Sequence, residues 1–281
     1  MLSPLLWMRR RMEIARHAPR RRQLEEDLTR FWGQSTVLVS GSIKRGYDET
    51  YHVFCGGTRV AVARVTNRHI SQVRRPDPGS PVVPLEPQDR LEREWLVYQQ
   101  LFPVGLSPQP LWRTSDAIVC GWLDWPRVSE TVRRSSSQFW TRMDTILPSI
   151  RRMHQCGVTH LDLNPGNILT EPDSGRVAFI DFEFGPLPGI SESQQQAYDY
   201  LRLIDECLRP RRGGRQLLAE TARLVGLLQG CVDDEIRDVD TVPLQGKLRR
   251  LMSQSTLVRQ LQAVFRKLGN TPRPAVRCEP G

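Results

Sequence analysis

Between Thr36 and Val65, apolar and polar residues alternate in three short runs, Thr36–Ser40, Thr50–Phe54 and Val60–Val65, separated by glycine-bearing turns at Gly41–Gly46 and Gly56–Gly57. A period of two bounded by turn residues predicts three consecutive antiparallel strands. The stretch Arg75–Pro87 carries Pro76, Pro78, Pro81, Pro84 and Pro87. It predicts a loop, because proline removes a backbone donor and fixes φ. Beyond it, Arg90–Leu101 sets Leu91, Trp95, Leu96, Tyr98 and Leu101 among charges in a helical distribution, and Ile118–Leu123 returns to a short apolar strand pattern. In the second half, apolar residues recur three or four apart over Phe139–Cys156, Ser193–Leu208, Arg215–Gln229 and Leu244–Leu268, predicting four helices. A strand-rich front and a helix-rich back predict an α+β chain of two lobes with a hinge near Gly121–Pro126. The expected divisions are a basic N-terminal extension over 1–32, a first lobe over 33–120, a second over 121–269 and a flexible tail over 270–281.

Composition adds bounds to this picture. The 281 residues are enough for two lobes with a true core, and 39% hydrophobic with 25% charged residues is ordinary for a soluble globular chain. The net charge of +9 calls for an acidic partner: nucleic acid, an anionic membrane surface or a phosphorylated substrate. Only Lys44, Lys247 and Lys267 are lysines, so the charge is nearly all arginine, which suits bidentate phosphate recognition. Residues 1–32 mix eight arginines with Leu, Trp, Met and Ile. That reads either as a basic amphipathic helix at a membrane surface or as a solvated extension packing on the body. Trp112, Trp122, Trp125 and Trp140 read as packing or cleft-lining residues, and nucleic acid is not an expected partner. Six scattered cysteines without CxxC spacing read as reduced thiols of a cytoplasmic protein. No apolar run is long enough for a membrane span, and the opening twelve residues lack the layout of a secretory signal. The expected location is cytoplasmic, with a peripheral contact to the inner membrane. Oligomeric state is not legible.

The segment His154–Gly185, HQCGVTHLDLNPGNILTEPDSGRVAFIDFEFG, carries the chemistry. Phosphoryl transfer needs an acceptor hydroxyl held in line and metal ions that neutralise phosphate oxygens. Asp162 is placed to orient such a hydroxyl and take its proton. Asn167, five residues on, offers an amide oxygen, and Asp181, after a short apolar strand, offers a carboxylate; magnesium favours both donor types. A lone Asp or Asn in a Pro/Gly-bearing loop usually caps or turns the chain, but the ordered set of all three argues for function. His17, His52 and His69 lack zinc-ligand spacing, and the G-x-S-x-G and Cys/His protease signatures are absent.

These residues resemble the catalytic loop and metal-binding segment of the protein-kinase-like superfamily, spelled H-x-D-x-x-x-x-N and D-F-G. HLDLNPGNIL with IDFE is most similar to the lipopolysaccharide kinase branch, including the Kdo kinases, and next to the aminoglycoside and choline phosphotransferases. The similarity covers roughly Val37–Leu208 and is strong only in the second lobe. It implies a two-lobed kinase-like fold, a small antiparallel sheet lobe over a larger helical lobe, with ATP in the cleft between them and Mg2+ beside it. By the resemblance Asp162 is the catalytic base, Asn167 and Asp181 bind magnesium, His160 and Asn164 support the loop, and Asp199 braces it from the following helix.

The first lobe departs from the family pattern. Gly41 and Gly46 supply two glycines for a phosphate-covering loop without a full G-x-G-x-x-G. The strand cation is Arg64 where lysine is usual, with Lys44 as the alternative, and Glu94, or else Glu92, is the partner that orients it. The backbone of Val119 to Gly121 is expected to meet the adenine. Glu183 in place of glycine argues against a switch of the protein-kinase type. The implied acceptor is a sugar hydroxyl on a lipopolysaccharide precursor, a glycolipid. The rivals are a small-molecule or protein acceptor and, outside enzymes, a pseudokinase or basic scaffold.

Overall fold

The computed structural model describes residues 4–41, 48–66 and 79–269, and for 4–17 the backbone alone. The chain divides into two compact units, Met1–Ile70 with Pro110–Leu123, and Ser71–Gln109 with Asp124–Gly281.

The first unit is a five-stranded antiparallel sheet with one long helix. Its strands are β1 (Thr36–Ser40), β2 (Asp48–Cys55), β3 (Thr58–Thr66), β5 (Pro110–Arg113) and β6 (Ala117–Gly121), in spatial order β1-β2-β3-β6-β5. The first three match the alternation of the sequence, and β2 turns into β3 through Gly56–Gly57, with Cys55 opposite Thr58. Helix α1 spans Pro4–Trp32. Leu24 and Leu28 on its second half are fully buried against Leu38, Val53, Ala61, Ala63 and Val119. Glu25 accepts the Leu38 amide at 2.9 Å, and Arg20 pairs with Asp116 at 2.6 Å. Leu24 and Leu28 thus anchor the second half of α1 in the unit's core.

The second unit is mainly helical. Helix α2 (Pro87–Leu101) starts three residues earlier than its periodicity predicts, since proline is well suited to the first helical turn, where its missing N–H is not needed. The proline-rich stretch is not all loop: β4 (Val82–Pro84) pairs antiparallel with β9 (Phe184–Pro186). A two-stranded ribbon consists only of edges, which is where a strand tolerates proline. Helix α3 (Val128–Arg134) and helix α4 (Gln138–Gln155) precede the hairpin of β7 (Ile168–Thr170) and β8 (Val177–Phe179), whose six residues are all buried. Helix α5 (Glu192–Cys207) opens on a complete capping box, Ser191 with Gln194, and ten of its residues are buried.

Two expected helices are broken. Arg215–Gln229 is α6 (Gly214–Ala219) and α7 (Thr221–Cys231), separated at Glu220, whose φ of −126° and ψ of 47° leave the helical region. Leu244–Leu268 is a 3-10 turn over Val242–Lys247 followed by two short helices, Arg249–Met252 and Ser255–Leu261. Gly246 lies so close to the Gly79 carbonyl that a Cβ there would stand 2.1 Å from its oxygen. Asp205 takes the Leu251 amide at 2.9 Å and so starts a fresh helical turn. Among the described residues no helix is long and apolar enough to cross a membrane.

Candidate active site

The loop His160–Asn167 is held from below by one buried carboxylate. Asp199, on the second turn of α5 and fully buried, accepts the amide of His160 at 2.8 Å and that of Leu161 at 2.7 Å, with His154 Nε2 at 3.1 Å. Leu161 sits at φ 66°, a conformation that costs a non-glycine residue of order 1–3 kcal/mol unless its surroundings enforce it. The Asp199 bond to the Leu161 amide is such an enforcement. Asp162 N–H then donates to His160 Nδ1 at 3.4 Å, while His160 Nε2 lies 3.0 Å from the Ile180 carbonyl oxygen. An imidazole with its proton on Nε2 satisfies both contacts, and its ring packs on Phe182 with centroids 4.4 Å apart.

The β7–β8 hairpin brings Asp181 to the same place. Ile180 N–H donates to the Asn167 carbonyl at 3.0 Å, so the ends of loop and hairpin are joined by backbone. Asp181 has φ 74°, the second positive-φ non-glycine residue among those described, and its amide donates to the Tyr98 hydroxyl at 3.4 Å. Tyr98 in turn donates to Glu94 at 2.5 Å. Glu94 is buried in α2 and thereby tied to the metal-type segment of its own unit.

Inside the loop, Asn164 Nδ2 donates to the Asp162 carbonyl at 3.0 Å and Asn164 Oδ1 accepts the Gly166 amide at 2.9 Å. Asn167 Nδ2 also donates to the Asp162 carbonyl, at 3.2 Å. With its nitrogen engaged, Asn167 turns its oxygen end to other use, and Oδ1 accepts no hydrogen bond among the described residues. A carboxylate and an amide oxygen are hard ligands of the type magnesium takes together with substrate phosphates and water. Among the described residues there is no group of three or more His, Cys, Asp or Glu arranged for a metal.

Asp162 has a cationic partner that the sequence reading missed. Arg202, one turn beyond Asp199 on α5, donates to Asp162 Oδ1 from Nε at 3.3 Å and from Nη2 at 3.1 Å. Its Nη1 reaches Glu206 at 3.0 Å and Asp205 at 3.5 Å. Burial pushes the Asp162 carboxyl above the ordinary aspartate range, with the charge of Asp181 acting the same way, while Arg202 and His160 pull it back down. The bonds from Ile180 N–H to the Asn167 carbonyl and from Asn167 Nδ2 to the Asp162 carbonyl bring Asp162 and Asp181 to one loop–hairpin junction. Burial also disfavours the Arg202 charge, but the facing carboxylates outweigh it and raise its pKa. The available signal was the spacing of Asp199, Arg202, Asp205 and Glu206 on one helix face. A lone arginine between such residues reads equally well as a solvated charge.

Residues 122–204 match the lipopolysaccharide kinase (Kdo/WaaP) family. The matched span contains the loop, the hairpin with Asp181 and, on α5, Asp199 and Arg202, while Glu94, Tyr98, Asp205 and Glu206 lie outside it. It supports a kinase-like phosphotransferase, in the kinase-like superfamily near the Kdo kinase branch. No curated protein sequence matches the chain. Two crystal structures of the Mycobacterium tuberculosis PknI kinase domain, a single- and a double-substitution variant, each align at 15% identity and a TM-score of 0.44, covering 85% of this chain and 91% of theirs.

The remaining candidate residues lie in the first unit. Lys44 and Gly46 fall outside the described residues. Gly41 donates its amide to the Thr50 carbonyl at 2.8 Å at the end of β1. Arg64 on β3 pairs with Asp48 on β2 at 3.0 Å. Val119 is buried mid-strand, registered with Ala63 and Trp112, and Gly121 ends the same strand opposite Ala61.

Proposed function

We propose that this chain transfers the γ-phosphate of ATP to a hydroxyl group, with a sugar on a lipopolysaccharide precursor as the acceptor. The observation that carries the reading is the convergence of Asp162, Asn167 and Asp181 on one loop–hairpin junction, braced by the buried Asp199. Asp162 is the base. Its Oδ1 is engaged by Arg202, while among the described residues its Oδ2 has only a long contact of 3.5 Å, from Asn164, so Oδ2 is the oxygen that orients the acceptor O–H and accepts its proton. Asn167 Oδ1 and the Asp181 carboxylate would hold magnesium, which when bound neutralises the phosphate oxygens. Arg202 keeps the Asp162 carboxylate in one orientation and favours its ionised form, as general-base work requires.

The acceptor assignment rests on the family match over 122–204 and on the HLDLNPGN and IDFE spellings. Purified protein incubated with γ-labelled ATP and magnesium is expected to label Kdo-bearing or heptose-bearing lipid A. Absence of label in both overturns the acceptor assignment. The arginines at 9, 10, 11 and 16 on the first half of α1 fit a contact with anionic lipid; co-sedimentation with phosphatidylglycerol vesicles that 0.5 M salt fails to weaken would count against it.

A further inference from the structure

Arg133 and Arg211 are exposed and have no partner among the described residues, whereas the other two arginines of the Arg209–Arg212 run both pair with Glu206. The two free guanidiniums line one open cavity of about 410 Å³, with Ser136 and Gln216 as neutral hydrogen-bonding neighbours and no carboxylate in the lining. Its shape is enforced. Val128 and Val132 bury one side of α3, which leaves Arg133 facing outward. On the other wall Gly213, at φ 102°, lets the chain press onto Phe139, where a Cβ would stand 2.1 Å from the ring. That close approach sets Arg211 opposite α3.

Both walls are tied to the catalytic loop. The Ser129 amide, one turn before Arg133, donates to the Pro165 carbonyl at 2.8 Å, and Arg127 donates to the Gly166 carbonyl. Arg212, beside Arg211, bonds Glu206, which bonds Arg202, which bonds Asp162. The cavity is therefore connected to the proposed base through this chain of bonds without containing it.

We infer that this cavity is a subsite for a phosphate group carried by the acceptor sugar, remote from the hydroxyl that is phosphorylated. The inference rests on the phosphotransferase reading and deepens it. Two guanidinium forks without internal counter-ions and without a lining carboxylate favour a doubly charged oxyanion held by charge-assisted bonds. The volume falls in the range of small-molecule sites, room for a phosphate with the sugar ring that bears it.

The test is calorimetric titration of the full chain with glucose 1-phosphate, glucose and inorganic phosphate, in the native protein, in Arg133→Ala/Arg211→Ala, in Arg133→Lys/Arg211→Lys and in Asp162→Asn. The expected order in the native protein is sugar phosphate first, inorganic phosphate at least tenfold weaker, and no heat from glucose. The alanine pair should lose at least tenfold in sugar-phosphate affinity per guanidinium, about a hundredfold in all, and the lysine pair should fall between. Asp162→Asn should bind as the native protein does. Equal affinity in native and alanine-pair proteins, or equal affinity for inorganic phosphate and sugar phosphate, overturns the subsite. These readouts involve no turnover. Sugar-phosphate binding by the native protein without any phosphate transfer from it sinks the enzyme reading alone, and transfer with unchanged KM for anionic acceptors in the alanine pair sinks the subsite alone.

Discussion

Arg202→Met keeps most of the side-chain length of Arg202 but removes every donor it offers. Its carboxylate neighbours fare differently. Glu206 retains Arg209, Arg212 and Arg250, and Asp205 retains Arg250 at 3.1 Å and the Leu251 amide at 2.9 Å. Asp162 loses the ion-pair partner it has among the described residues and the two bonds on Oδ1. Removing one member of a buried pair costs about 3–5 kcal/mol. Here the side chains keep 18% and 26% of their exposure, so solvent screening reduces the expected loss to about 1–3 kcal/mol. The catalytic effect has a direction. Burial already raises the Asp162 pKa and Arg202 opposes it, so deleting the cation moves the pKa higher still. A base that must be ionised then becomes active only at higher pH. In a phosphotransfer assay from pH 6 to pH 9, the acidic limb of kcat/KM should shift upward in the variant, with activity partly recovered at the alkaline end. Arg202→Lys should shift it less. A uniform loss with the native pH profile would refute the role given to Arg202.

Asp162→Asn should abolish transfer and at the same time stabilise the fold. A carboxyl whose folded pKa lies above its unfolded value favours folding below the unfolded value, and that contribution is lost as pH rises through the folded one. The amide should thus gain about 1 kcal/mol, or ~2–4 °C in Tm, at pH 7, with the gain fading towards pH 4; a lower Tm at pH 7 contradicts this. Asp199→Ala orphans the amides of His160 and Leu161 in the interior, at ~1–3 kcal/mol each. A loss of about 3–6 kcal/mol by urea unfolding is expected, with transfer lost as well. Gly213→Ala sets a methyl into the Phe139 ring at a positive φ, for about 2–4 kcal/mol of destabilisation; a native-like melting curve would count against that packing.

Where one signal dominated, the fold was legible from the chain. The alternation over β1 to β3 and the three-to-four spacing of α4 and α5 each bury one face, and their boundaries fall within about two residues of the expected ones. The helix breaks were hidden because their causes are tertiary. Glu220 has no breaker chemistry of its own, and Gly246 shows its purpose only beside Gly79. Strand β4 was masked by prolines that a two-stranded ribbon accommodates. At the site, Asp162, Asn167 and Asp181 stood out because their order and spacing form one motif. The positive φ of Leu161 and Asp181 gave no sign in the residue types, since neither is glycine. Arg202 was hidden among surface-like charges on an amphipathic helix, and only its distances to Asp162 set it apart.

The central claim is that Asp162, Asn167 and Asp181 act together on a magnesium-bound nucleotide and an acceptor alcohol. Transfer of label from γ-labelled ATP to Kdo-bearing or heptose-bearing lipid A, in the native protein and in Asp162→Asn, Asn167→Ala and Asp181→Asn, tests it most directly. The account predicts magnesium-dependent label in the native protein, losses of at least a hundredfold in each variant, and no activity in excess EDTA. Undiminished transfer in Asp162→Asn or Asp181→Asn would contradict it.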